Sequence, residues 1–118
     1  MSGERQDIER KSLRLLTGRK ADWDGVAKDC VAFANAQGGR LLVGIEDGEA
    51  EPPPGQKVPA DLVEKVHKRI GELTVNVTAA ARICPAPSDG EYLEVRISRS
   101  HSPASTSDGR YYLRVSDE

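Results

Sequence analysis

The stretch from Asp22 to Gly48 constrains the fold more than any other part of the chain. Trp23, Val26, Ala27, Cys30, Val31 and Ala34 recur at i, i+3, i+4, i+7, i+8 and i+11, and Phe33 widens the stripe. That spacing predicts an amphipathic helix over residues 22–36. Asp22 suits its N-cap, because a carboxylate accepts an otherwise unpaired helix N–H. Gly38 and Gly39 end it, since glycine enters the left-handed conformation without a Cβ penalty. Residues 40–46 (RLLVGIE) then run apolar with a charge at each end, which suits a strand buried on both faces. Asp47-Gly48 starts a turn. A helix that reverses through two glycines into a buried strand needs a sheet with helices packed on it.

The remaining elements extend that layer. Leu62, Val63, Val66, Ile70 and Leu73 line one face of a second helix, residues 60–72, which follows Pro59. Three strands are predicted at residues 75–83, 91–99 and 110–115. The first sets Val75, Val77, Ala79, Ala81 and Ile83 on one face. The second alternates Leu93, Val95 and Ile97 with Glu94, Arg96 and Ser98. Residues 17–20 (TGRK) read as a turn, 49–59 (EAEPPPGQKVP) as an exposed loop within the domain, and SHSPASTSDG as a loop before the last strand. Residues 6–11 (QDIERK) are too short and charged to be assigned from pattern alone. With 118 residues there is room for one domain and one core. Only five aromatic residues are present (Trp23, Phe33, Tyr92, Tyr111 and Tyr112), so that core must be mainly aliphatic. No internal repeat is present.

Several function classes fall away. No apolar run approaches the roughly 20 residues that span a bilayer. The N-terminus MSGERQDIERK has no apolar segment of a signal peptide. Cys30 and Cys84 are far apart, lack CxxC spacing and sit among apolar residues, which fits buried free thiols in a reducing cytoplasm, with a disulfide or a catalytic thiol the alternatives. The net charge of −2 argues against tight non-specific binding of polyanions. The distribution of charge says more than the sum. Residues 1–20 hold six cations (Arg5, Arg10, Lys11, Arg14, Arg19, Lys20) against three anions (Glu4, Asp7, Glu9), a balance of +3. The C-terminal quarter adds Arg96, Arg99, Arg110 and Arg114. A fold that joins the two ends would create a basic surface.

Ala32-Phe33-Ala34-Asn35-Ala36-Gln37-Gly38-Gly39 followed by Leu41-Leu42-Val43-Gly44-Ile45-Glu46-Asp47-Gly48 resembles the signature of the Schlafen AlbA-like domain: a helix ending AFANxxGG, then a strand reading LLxGxxD. Ile8-Glu9-Arg10-Lys11 resembles the family's opening LEFK strand, with Arg10 in place of an apolar aromatic residue. Pro103 and Gly109-Arg110-Tyr111-Tyr112-Leu113-Arg114-Val115 resemble its closing P…GxYYxRxG strand. The resemblance covers nearly the whole chain in the family's order. It implies an α/β (α+β) fold, a mixed β-sheet with two packed helices in the order β-α-β-α-β-β-β, over residues 1–118. It also implies a nucleic-acid-binding domain of a bacterial regulatory or defence protein, a transcriptional regulator among them. Family members often continue into ATP-binding domains, so the chain fits a domain excised from a longer protein. No GxxxxGK[ST] loop occurs in it, so no ATP site is expected.

In the RNA-cutting branch of the family, two glutamates on the first segment and one aspartate after the second strand form the active site. The matching residues here are Glu4, Glu9 and Asp47. Three converging carboxylates repel one another unless a hard divalent cation such as Mg²⁺ or Mn²⁺ sits between them. Such an ion orients a water, lowers its pKa and stabilises charge on the phosphate. Lys11 would hold a phosphate oxygen, and Arg5, Arg10 and Arg14 would follow the flanking backbone. The bland alternatives stay open. Glu4 lies near a terminus, Glu9 and Lys11 suit a surface ion pair on one strand face, and Asp47-Gly48 is a common turn.

Three readings follow: a nucleic-acid-binding module for DNA or RNA, a Mg- or Mn-dependent endoribonuclease acting on structured, tRNA-like RNA, and a non-catalytic protein-docking domain. The acidic proline loop and the net negative charge motivate the third. Expected partners are nucleic acid and a second copy of the chain in a homodimer, with no membrane. Asn35 reads as a capping residue near the helix end, with ligand contact the alternative. His67 reads as a solvated surface residue. His67 and His101 lack a third ligand, so no zinc site is expected. Tyr111 and Tyr112 alternate faces. One packs inward, and the other, with Arg110 and Arg114, either faces solvent or stacks on an unpaired base.

Overall fold

A computed structural model describes residues 8–110. The elements are β1 (Ile8–Lys11), α1 (Arg14–Thr17), α2 (Trp23–Ala34), β2 (Gly39–Val43), α3 (Leu62–Leu73), β3 (Thr74–Val75), β4 (Ala79–Pro85), β5 (Glu91–Ile97) and β6 (Ser105–Thr106). Four strands form a sheet in the order β1-β2-β5-β4, and β3 pairs with β6 in a small second sheet. β1 runs parallel to β2, and the other pairs are antiparallel. The mixed sheet with packed helices is the expected architecture.

Helix α2 forms where the apolar stripe predicts. Asp22 caps it, its side chain accepting from the Gly25 N–H at 3.0 Å. At the other end Gly38 takes a φ of 83°, and a Cβ there would stand 2.7 Å from the Ile97 carbonyl oxygen. Only glycine lets the chain reverse so close to β5. The stripe of α2 and the residues Leu62, Val66 and Ile70 of α3 bury against one face of the sheet. They form one core with Leu41, Val43, Leu93, Val95 and Ile97, and Leu16 of α1 joins it. Ala79, Ala81 and Ile83 pack at its margin. All three helices thus contribute to the same side of the four-stranded sheet.

The strand predicted over 75–83 is two strands. Asn76 takes a positive φ of 65° and turns the chain between them. Val75 therefore points outward, 47% exposed, instead of inward. Asparagine tolerates that conformation better than most residues. β6 falls inside the segment expected to be a loop, and α1 was not expected at all. The strand assigned to 110–115 lies almost entirely outside the described residues. None of the described helices is long and apolar enough to cross a membrane.

The loop 49–59 is largely exposed, as expected, but it is pinned. Gln56 Nε2 donates to the Gly44 carbonyl at 2.9 Å and to the Glu91 carbonyl at 2.8 Å. The Glu91 carboxylate accepts from the Val58 N–H at 3.0 Å. Pro52 and Val58 are buried.

Candidate nucleic-acid interface

Strand alternation assigns each face its residues. Leu41, Val43, Leu93, Val95 and Ile97 face the helices, so Arg40, Leu42, Tyr92, Glu94 and Arg96 face the other way. On β4 the outward set is Ala80, Arg82 and Cys84. The register aligns Arg82, Glu94, Leu42 and Arg10 in one row across the sheet. Ala80, Arg96, Arg40 and Ile8 form the next row. Leu42 and Cys84 are buried, yet neither belongs to the core cluster on the helix side.

Glu94 is the centre of this face and only 4% exposed. Its Oε1 accepts from Arg82 Nε at 2.9 Å, and its Oε2 accepts from Arg40 Nη1 at 3.2 Å. Arg96 Nη2 stands 4.0 Å from the same Oε2. Burial alone would push the Glu94 carboxyl up, but the hydrogen bonds from Arg82 and Arg40 and the nearby guanidinium charges hold it below the ordinary carboxylate range. The hydrogen bond to Glu94 correspondingly raises Arg82. The side chains of Arg82 and Arg96 remain 69% and 63% exposed, and that of Arg40 40%. A shallow hollow of about 400 Å³ lies among Ala80, Ala81, Arg82, Glu94 and Arg96. Tyr92 lies two residues before Glu94 on the same face, opposite Cys84 in the register.

The described residues among those singled out from sequence lie on several elements. Arg10 lies on this arginine-bearing face and is exposed, which explains how a charged residue occupies its place in β1. Glu9 and Lys11 alternate to the helix side. There the Lys11 ammonium lies 3.7 Å from Glu9 and 3.4 Å from Asp29 of α2. Arg14 is exposed at the start of α1. Arg110 Nε lies 3.5 Å from the Asp108 carboxylate. That carboxylate is held low by a hydrogen bond from the Thr106 hydroxyl and by Arg110. Glu4, Arg5, Tyr111, Tyr112 and Arg114 lie outside the described residues. So does much of the expected junction of the two basic chain ends, although Arg10 and Arg96 do share a sheet face.

Asp47 is exposed beyond the end of β2. It lines a hollow of about 750 Å³ together with Glu46, Glu49, Glu51 and Pro52. Among the described residues no three of His, Cys, Asp and Glu are grouped so as to hold a metal ion. Glu9 and Asp47 alone therefore do not make a cation site, and the third carboxylate expected there, Glu4, is not described.

Sequence reasoning missed Arg40 and Arg82. The signal was present only in part: alternation puts Arg96 and Glu94 on one face of β5, but the rows of the sheet require the register. Asn35 is more than a cap. Its Nδ2 donates to the Ala104 carbonyl at 2.9 Å and its Oδ1 accepts from the Ala104 N–H at 2.8 Å, a two-bond clamp across the fold. His67 is exposed but not merely solvated, since its Nε2 accepts from the Ala81 N–H at 3.0 Å. Both cysteines are free and buried, and burial, with the Asp29 charge second, pushes the Cys30 thiol up to about 12. Such a thiol is not a ready nucleophile at neutral pH.

Comparison with known proteins agrees with this architecture. The family described as Schlafen, AlbA_2 matches residues 4–118. No curated protein matches. The crystal structure of the DIP2311 protein from Corynebacterium diphtheriae superposes with a TM-score of 0.67 at 19% identity, covering 96% of this chain and 24% of that one. The chain thus spans about a quarter of that protein's length, and the likeness is one of fold.

Proposed function

The chain belongs to the Schlafen AlbA_2 family, and on that premise we propose that it is a nucleic-acid-binding domain. The observation that carries the reading is the one-sidedness of the sheet. All three helices pack on one face, and the other presents Arg10, Arg40, Arg82 and Arg96 with Glu94 drawn in among them. A polyanion gains from cations gathered on an open surface, and binding releases its condensed counterions. Four of the acids, Glu46, Asp47, Glu49 and Glu51, gather around the proline loop. This separation lets a chain of net charge −2 offer a cationic face.

Incubation with labelled tRNA and single-stranded DNA, in Mn²⁺ or in EDTA, tests the proposal on native and denaturing gels. Retarded, intact nucleic acid whose retardation weakens as salt rises is the expected result. No retardation at low salt would sink it.

A second reading treats the domain as a Mg- or Mn-dependent endoribonuclease. Its support is that Lys11 ends β1 beside the end of β2 that leads to Asp47, where the Gly44 N–H donates to the Lys11 carbonyl at 2.7 Å, and Glu9 lies on the same strand face as Lys11. Glu4, Glu9 and Asp47 would hold the ion, which supplies a polarised water, and Lys11 would hold a phosphate oxygen. Cleavage in Mn²⁺ that vanishes in EDTA and in Asp47→Ala would establish it. Cleavage indifferent to both would dismiss this carboxylate set.

A further inference from the structure

We propose that the helix-free face of the sheet, centred on Arg82 and Arg96, binds the backbone of an unpaired nucleic-acid strand. The inference rests on the nucleic-acid-binding reading and adds which surface is used and which form of nucleic acid it fits.

Charge is the first argument. Four arginines and one glutamate face outward from β1, β2, β4 and β5, a balance of +3. The glutamate does not offset that balance evenly. Glu94 lies at the floor of the face, both carboxylate oxygens engaged, while Arg82 and Arg96 stand out into water. An approaching phosphate therefore meets guanidinium groups before it meets the carboxylate. Glu94 engages Arg82 through Nε at 2.9 Å, which fixes the stem of a side chain whose exposed end remains available. A guanidinium held at its root loses less freedom when it takes a phosphate, and its planar fork matches two phosphate oxygens.

Shape is the second argument. Neighbouring strands lie about 5 Å apart and the side chains stand roughly perpendicular to the sheet, so among the described residues the face is a shallow platform that offers no helix to enter a groove. The hollow between β4 and β5 is shallow too. A duplex hides its bases inside, whereas an unpaired strand can lay them on a sheet surface. Tyr92, half-buried beside Cys84, sets an aromatic ring on the same face diagonal to Arg82, and an aromatic ring near a cation is a common platform for unpaired bases. The chemistry recognised is the phosphodiester backbone with one stacked base, which RNA and DNA share.

The test measures fluorescence anisotropy of labelled single-stranded 20-mers of uridine and of thymidine, and of a duplex of equal length, over a series of salt concentrations. The variants are Arg82→Gln/Arg96→Gln, Tyr92→Leu, and Lys65→Ala/Lys68→Ala, which removes two exposed cations of α3. The arginine pair should weaken strand binding at least tenfold and lower the log–log salt slope by about 0.7 per lost phosphate contact. Tyr92→Leu should weaken it about tenfold with the slope unchanged. The lysine pair should bind like the parent chain. The arginine variant takes two partners from Glu94, so its urea midpoint should fall only by the small amount that solvent-reaching ion pairs contribute, and Arg82→Lys/Arg96→Lys should restore the slope. Parent and arginine variant binding alike would overturn the inference and leave the nucleic-acid reading standing. Duplex bound as tightly as single strand would overturn the choice of an unpaired strand. A parent chain that binds neither at low salt would remove the reading and the inference together.

Discussion

On the helix side of the sheet, Leu41, Val43, Leu93, Val95 and Ile97 are closed off from water by α1, α2 and α3. On the other side the same strands hold Arg40, Arg82 and Arg96 around Glu94. The helix side is stabilised by removing apolar surface from water, an effect without direction and nearly indifferent to salt. The open side is stabilised by ion pairs that reach solvent, each worth about 0–1 kcal/mol. A contact so weak is easily exchanged, so an incoming anion can recruit Arg82 or Arg96 without disturbing the core. The sheet thus separates what keeps the domain folded from what is free to change partners.

The largest test of that contrast is a pair of equal truncations on opposite faces. Leu93→Ala removes a fully buried side chain from a core closed on every side, and should cost about 3–5 kcal/mol. Leu42→Ala, in register with Arg10 and Glu94 on the open side, should cost near 2 kcal/mol, because long flexible side chains can settle into the space. Urea denaturation reads both. Equal losses would mean that the two faces are packed alike and that the open side is as rigid as the core.

A middle-sized effect is expected where the helix side is held by a polar contact. Asn35→Ala removes both bonds to Ala104, whose backbone then lacks partners in a buried position, at about 1–3 kcal/mol. Hydrogen exchange gives a local readout, since the Ala104 amide should lose protection while amides of β2 and β5 keep theirs. Unchanged protection at Ala104 would show that the clamp is dispensable.

Helix α2, its cap at Asp22, its stop at Gly38 and the inward residues of β5 were legible in the sequence, because each follows from periodicity or from a local backbone requirement. The open face was not. Glu94 alternates as a solvent residue should, and nothing within β5 says that it will be buried. That depends on Arg82 lying opposite it and Arg40 lying one row away, and register between distant strands is set by the whole fold. The break at Asn76 was hidden for a related reason: the alternation of Val75, Val77 and Ala79 continues through a residue whose φ is positive. Asn35 was legible as a helix-end residue, but its partner lies 69 residues further on. Of the carboxylates expected to act together, Glu9 lies 3.7 Å from Lys11, Asp47 is exposed beyond β2, and Glu4 lies outside the described residues. Spacing gives the order of such residues and not their convergence.

The smallest effect separates the faces by pH. The Glu94 carboxyl is lower in the folded chain than the ordinary value of about 4.3. A depressed carboxylate contributes stability that is present above its unfolded pKa and is lost as pH falls through the folded one. Glu94→Gln should therefore cost about 1 kcal/mol or less at pH 7, discounted because all three guanidiniums reach water. The difference between parent and variant should shrink as pH falls below the ordinary carboxylate value and through the lowered folded one, where the parent protonates and becomes the equivalent of the amide. Raising salt to about 0.5 M at neutral pH should shrink it as well, since exposed charges are screened over a few ångströms there. Leu93→Ala should show neither trend, because no charge changes on its face. Urea midpoints across pH and salt give both series side by side. A Glu94→Gln deficit that stays constant from neutral to acid pH would mean that the glutamate acts by shape and hydrogen bonding alone, and the open face would then be a second packed surface, with no charge cluster to exchange.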